Sequence, residues 1–430
     1  MLVKIIRKII PENIYLKLRL FLQFRFFRNE IELTQKYALQ MSKGVKNDRI
    51  TIVFIIWAEA MWNSLRSVYE QAEKDSHFDV YILAQPHISN RMGKENENPC
   101  FDFLSALYQN VISAYADGQW FDLTTLNPNY VFYTYPYSSE YYAYYNPAYV
   151  RKFAKVCLIQ YGFNLVKNAI FDRAYNFLFS KNVAIHFVQC TTVCKKLNNY
   201  YGKIKGEYPK IENLGFPRFD LVSQTHSDFH EPCVLWTPRW TLPAERKYDT
   251  GSSFLAYYND FLNFAATHKD ISFIIRPHPL MFQNFLKKGF LTQTEIDDFR
   301  MRCKNLGNVI IDDNADYLKS IKKASIFIAD FSSLIAEFFV TGKPVIFCAE
   351  GKDFIPEAKI MDSVLYHAKT WSDVERLLIN LLAGKDDMKE ARLSAIQNFL
   401  PQKSKTAADS ILDCIYADYH GCLTEKTNGR

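Results

Sequence analysis

From Arg49 onward the hydrophobic positions fall into short unbroken runs, separated by longer stretches in which they recur every three or four residues. "RITIVFIIWA" (residues 49–58) is one such run, followed by the helical spacing of "NSLRSVYEQAEK" (63–74) and a second run, "FDVYILAQP" (78–86). "YVFYTYP" (130–136), "KVCLIQYG" (155–162) and "AIHFVQC" (184–190) continue the series. A strand apolar at every position is buried on both faces, so helices must cover both sides of its sheet. The pattern predicts a parallel sheet with helical crossovers.

The alternation breaks at the polar stretch "SQTHSDFHEP" (223–232), the best linker, and then restarts. "CVLWTP" (233–238), "ISFIIRPHP" (271–279), "NVIIDD" (308–313), "SIFIAD" (325–330) and "PVIFCAE" (344–350) read as strands. "GSSFLAYYNDFLNFAATH" (251–268), "ADYLKSIKKA" (315–324) and "SSLIAEFFVTG" (332–342) read as helices, with Gly342 as a left-handed cap. The expected α/β architecture is two Rossmann-like doubly wound domains facing a cleft, the arrangement called GT-B. Its boundaries fall at 1–45 (basic amphipathic helical segment), 46–225 (first domain), 226–385 (second domain) and 386–430 (C-terminal helices). A chain of 430 residues suits two such domains.

Three strand ends of the second domain carry chemistry. Thr237, Pro238 and Arg239 follow the first strand. Arg276 and His278 follow the second, with Pro277 and Pro279 locking both sides of the histidine. Neither proline can donate to a sheet ladder, so the strand stops and the imidazole is held at its carboxyl end. Asp330 closes a third strand, and Ser332 and Ser333 open a helix whose N–H groups could meet an anion. The same serines also serve as ordinary helix caps. In open α/β sheets the carboxyl edge of the strands is where ligands bind, and an arginine or imidazolium there would stabilise charge on a departing phosphate.

Charge changes the picture at the start of the chain. Of the net +6, residues 1–30 hold Lys4, Arg7, Lys8, Lys17, Arg19, Arg25 and Arg28 against Glu12 and Glu30. Interleaved with Ile, Leu and Phe, they fit an interfacial helix on an anionic membrane, or a helix packed on its own domain. The basic residues do not continue as a stripe, so nucleic acid is not expected. No run reaches the roughly 18 apolar residues of a membrane span, and no signal peptide is present. Nine scattered cysteines fit a reducing cytoplasm. His186, Cys190 and Cys194 share a spacing that would suit zinc on a helix, but the stretch reads as a strand entering a helix, and no metal is expected. Asp312 and Asp313 read as a turn. The tyrosine run "YTYPYSSEYYAYYNPAY" (133–149) is either packing or a surface on which sugars stack.

"RPHP", followed some fifty residues later by "ADFSSLIAEFFVTGKPVIF" (329–347), resembles the CDP-glycerol glycerophosphotransferases of teichoic acid and capsule synthesis. "LGFPRFD" (214–220) and "VLWTPRW" (234–240) are similar to motifs of that family, and "WNSLRSVYEQAEKDSHFDVYIL" (62–83) to a shorter branch of it. The resemblance implies a GT-B enzyme that takes CDP-glycerol as donor, needs no cofactor, and transfers glycerol phosphate to a polysaccharide or lipid-linked acceptor. It implies Arg276 and His278 on the diphosphate, with His278 assisting departure of CMP. Thr237, Arg239 and Pro277 would line the donor, Asp330, Ser332 and Ser333 would hold phosphate or ribose, and Glu337 would take a hydroxyl. The family's longer members carry Trp-His-Gly-Thr in the first domain, whose histidine serves as base. Here that position reads Gln160, Tyr161, Gly162, without a histidine. Glu59 and His87, both at strand ends, are the alternative bases. A transferase using a CMP- or UDP-activated sugar, or a degenerate nucleotide-binding scaffold, remains as the other reading.

Overall fold

The computed structural model describes residues 12–44, 46–88, 97–163, 165, 177–223, 231–242, 251–314, 316–349, 354–400 and 405–421. The basic residues Lys4, Arg7 and Lys8 and most of the expected linker lie outside that set. The chain divides into two units. The first comprises Met1–Gly162, Ala169–Arg218 and Ser404–Arg430, and the second Phe163–Asn168 and Phe219–Lys403. The last helix, Ala407–His420, thus belongs to the first unit instead of forming a tail with its predecessor.

The first unit is built on seven parallel strands. They are β1 (Ile50–Ile56), β2 (Phe78–Ala84), β3 (Val111–Ser113), β6 (Tyr130–Tyr133), β7 (Lys155–Ile159), β8 (Ile185–Phe187) and β9 (Lys210–Glu212). Across the sheet their order is β3-β2-β1-β6-β7-β8-β9. β4 (Tyr115–Ala116) and β5 (Gln119–Trp120) form a separate hairpin. All seven residues of β1 are buried, because β2 and β6 flank it and helices cover its faces. Because β1 is paired with β2 on one side and β6 on the other, the winding reverses there.

The amino ends of this sheet are closed by a charged node. Asp418 of the last helix, 5% exposed, accepts from Lys155 Nζ (2.5 Å), Lys210 Nζ (2.5 Å), Tyr130 Oη (2.6 Å) and Tyr208 Oη (2.6 Å). Burial pushes its carboxyl up, but the two ammonium groups outweigh it and hold the pKa at about 2. The long helix Glu12–Ser42 joins the node through Ser42, whose hydroxyl takes a hydrogen bond from Lys155 Nζ at 2.7 Å. Its C-terminal half packs inward at Ile31, Thr34 and Ala38. The Arg151 guanidinium clamps it through Glu30 (2.5 Å) and Thr34 (2.8 Å).

Six parallel strands form the second sheet. They are β10 (Cys233–Thr237), β11 (Ser272–Ile275), β12 (Val309–Ile311), β13 (Ile326–Ala329), β14 (Val345–Phe347) and β15 (Tyr366–His367). Their order is β12-β11-β10-β13-β14-β15. Trp236 is fully buried and stacks on Phe254 and Phe261 of the helix Phe254–Thr267, fixing that crossover over the sheet. Gly342 takes φ of +78°, and a Cβ there would come within 3.2 Å of Leu393. Both sheets are the mixed α/β, Rossmann-like layers that the sequence implied. The winding of this one reverses between β10 and β13, the crevice where such sheets receive ligands.

Candidate functional site

The carboxyl ends of β10, β11 and β13 bring together Arg239, His278 and the segment 330–333. The His278 N–H donates to the Pro238 carbonyl at 3.1 Å, so the proline-locked turn lies directly against the β10 end. The Leu280 N–H donates to His278 Nδ1 at 3.2 Å, which leaves the neutral ring with its proton on Nε2. That edge is solvent-accessible, while Trp240 lies 5.8 Å from the ring. Crowding by protein, then the Arg239 charge, lowers the His278 pKa from its ordinary 6.5. Two nitrogen donors at one strand edge suit an anion better than a cation.

The Arg239 guanidinium is aimed by the β13 segment. Its Nη1 donates to the Phe331 carbonyl at 2.7 Å, and its Cζ lies 5.3 Å from the Phe331 ring. Its backbone N–H donates to Asp330 Oδ2 at 2.7 Å, and so does that of Ser253 at 3.0 Å. Asp330 is 1% exposed, and burial raises its pKa although these donors pull it down. Its visible work is to tie the two loops together. Ser332 accepts from the Leu334 N–H at 3.2 Å, just ahead of the six-residue helix Leu334–Phe339. Ser333 is half-buried beside it, and Thr237 and Pro277 are buried.

Two expected ligands stand behind this surface. Glu337 is fully buried and accepts the Tyr317 hydroxyl, because its helix turns that face onto the sheet. Arg276 is only partly exposed, its guanidinium held by Asp312 Oδ2 at 2.7 Å and the Asn314 carbonyl at 2.6 Å. Asp312 is therefore more than a turn residue. Burial pushes its carboxyl up, yet Ser320, Arg276 and Asn314 outweigh that and hold it low. The sequence reading missed this role, although the position of Asp312 just past a buried strand could have signalled it.

The first sheet presents a different surface at its own reversal. Glu59 opens the short helix Glu59–Trp62, half-buried, with its pKa raised by burial. Trp57, Tyr135 and Tyr161 follow β1, β6 and β7 and meet as an aromatic wall, with the Tyr135 ring 5.2 Å from Trp57 and 5.5 Å from Tyr161. His87 lies edge-on to Trp57 at 4.5 Å, with Nε2 3.9 Å from Glu140 Oε2. The Gly162 carbonyl accepts from the Gln189 side chain. Three tyrosines of the run are buried packing: the hydroxyls of Tyr133, Tyr141 and Tyr145 donate to backbone carbonyls. His186 is buried in β8, its pKa lowered to about 3 by burial. Among the described residues no group of three or more His, Cys, Asp or Glu could hold a metal ion.

Comparison with known proteins gives the surface a family. Residues 204–417 match the family described as CDP-Glycerol:Poly(glycerophosphate) glycerophosphotransferase. None of the curated proteins matches the chain. Among solved structures, a variant of the wall teichoic acid polymerase TagF soaked with CDPG is similar at a TM-score of 0.57 and 12% identity, over 95% of this chain and 99% of that one. The UDP-GlcNAc 2-epimerase of Neisseria meningitidis, bound to UDP-GlcNAc, is similar at 0.54 and 11%, over 85% of this chain and 100% of that one. At such identities these structures establish the GT-B fold alone. The matched residues 204–417 include Arg239 and His278 and cover just under half of the chain.

Proposed function

We propose that this GT-B transferase moves glycerol phosphate from CDP-glycerol to a hydroxyl of a surface-polysaccharide or lipid-linked acceptor and releases CMP. The observation that carries the reading is the pairing of Arg239 with the His278 Nε2–H at the β10–β13 reversal, within the region that matches the family. A donor diphosphate there would take charge-assisted hydrogen bonds from Arg239. His278, neutral when free, would donate to the bridging or α-phosphate oxygen as charge builds on the departing CMP. Asp330 and Arg276 act as positioning residues, the first for Arg239 and the second for the turn that carries His278. Ser333 and Thr237 line the same edge. The acceptor side falls to the first unit, at the Trp57–Tyr135–Tyr161 wall.

The helix Glu12–Ser42 supports peripheral attachment to the inner face of a cell membrane. Ile14, Leu18, Phe21, Leu22 and Phe26 are all exposed, and their spacing places them along one stripe beside the exposed Arg25. No helix among the described residues is long and apolar enough to cross a membrane. Sedimentation with vesicles containing anionic lipid should carry the protein down, and Phe26→Asp should release it.

The transfer itself is tested by supplying CDP-glycerol with oligosaccharide or lipid-linked acceptors. Release of CMP together with a glycerol phosphodiester in the product supports the reading. Consumption of a UDP- or CMP-sugar without phosphate in the product would replace it.

A further inference from the structure

We infer that His87, with the Glu140 carboxylate nearby, takes the proton from the acceptor hydroxyl and so replaces the histidine missing beside Tyr161. The inference rests on the transferase reading above and adds the base and the kind of acceptor end it serves.

The construction around His87 is specific. Gln85, fully buried at the end of β2, donates from Nε2 to the Glu140 carbonyl at 2.9 Å and accepts the Tyr142 N–H at 3.0 Å. Asn146 adds a bond to the Ser138 carbonyl at 3.1 Å. These bonds sew the turn Ser138–Glu140 to the end of β2, so the Glu140 carboxylate is carried to 3.9 Å from His87 Nε2. Both side chains keep a little solvent access, at 14% and 20%. Trp57 fixes the ring from the side at 4.5 Å. A carboxylate behind an imidazole orients it and stabilises the imidazolium that forms, which is the support a histidine base needs. Glu59 lacks that support: its carboxylate makes no hydrogen bond or ion pair with any described residue. The titratable groups around the cluster are Glu140, Tyr135 and Tyr141, with Glu59 two residues beyond Trp57; Tyr141 is buried, with its pKa raised.

The surroundings also choose the acceptor's end. Tyr135, Tyr137 and the 41%-exposed Tyr161 offer aromatic faces, and the carboxylates of Glu59 and Glu140 would repel a phosphate. The fitting group is the hydroxyl of an uncharged polyol or sugar ring, whose C–H face packs on the aromatics. Its O–H proton passes to the imidazole as its oxygen bonds to the β-phosphorus of CDP-glycerol. The bond from that phosphorus to the bridging oxygen breaks, and its electron pair leaves with CMP. The imidazolium then returns its proton to water.

The test measures acceptor kcat/KM against pH, alongside CDP-glycerol binding by calorimetry and CMP release without acceptor. His87→Ala should lower transfer about 100-fold and abolish the acid limb of the profile, with donor binding within about twofold of wild type. His87→Gln, a closer replacement in volume, should behave the same and exclude misfolding as the cause. Glu140→Gln should lower kcat about tenfold, with partial recovery in Glu140→Asp. Transfer at the wild-type rate by His87→Gln overturns the assignment, as does an acid limb that survives in it and vanishes in Glu59→Gln. If those variants behave so while wild type binds CDP-glycerol and releases CMP, the transferase reading stands without this base. If wild type does neither, both fall together.

Discussion

Two sheet edges in this molecule share a topology and differ in polarity. At the carboxyl edge of the second sheet the groups facing outward are Arg239 and the His278 Nε2–H, while Asp330 and Glu337 are buried behind them as anchors. The first sheet reverses the assignment. Its outward groups are aromatic rings, with Glu59, Glu140 and His87 partly exposed among them. On the reading proposed above, one edge suits a multiply charged phosphate and the other an uncharged alcohol. In that reading one kind of scaffold takes on either task through the residues just past its strand ends.

The comparison makes the amino edge of the first sheet a control, since the Asp418 node lies at strand starts. Asp418→Asn should cost about 3–5 kcal/mol, because it leaves Lys155 and Lys210 without their counter-charge. Asp418 titrates near 2 when folded and near 3.8 when unfolded, so its stabilisation is present above about pH 4 and is lost as pH falls toward 2. Denaturation across that range should show a steep acid loss in wild type and a flatter one in the variant. Loss of donor selectivity in folded variant protein would break the comparison. Arg239→Ala should reduce kcat/KM for the donor about 100-fold, leaving acceptor KM and melting nearly unchanged. Glu337→Ala should lower stability by about 2 kcal/mol by stranding the Tyr317 hydroxyl, with donor KM within about twofold. The smallest effect belongs to Tyr161→Ala, a rise of roughly three- to tenfold in acceptor KM with donor binding intact.

Long apolar strands and the helices between them were legible in the chain because burial on both faces leaves an unbroken apolar run. β3, β9 and β15 were not, being edge strands of two or three residues whose pairing comes from neighbours. The proline-locked His278 and the Pro238–Arg239 turn were visible for a physical reason: two prolines dictate where a strand ends and which way the next turn leaves it. That Glu337 turns inward to Tyr317 and Arg276 pairs with Asp312 was not legible, because sequence spacing gives the strand or helix but not which face turns inward. The link between His87 and Glu140 spans 53 residues and depends on Gln85 bonding to a distant turn, which leaves no local pattern. Glu140 was hidden inside a tyrosine run, three of whose rings are buried packing.

The central claim is that Arg239 and His278 form the donor's diphosphate site, and calorimetric titration of CDP-glycerol and CMP into wild type, Arg239→Ala and His278→Ala tests it most directly. The account predicts that each substitution weakens CDP-glycerol by about tenfold or more and CMP by clearly less, since CMP lacks the β-phosphate. Equal affinity of wild type and both variants for CDP-glycerol would contradict it.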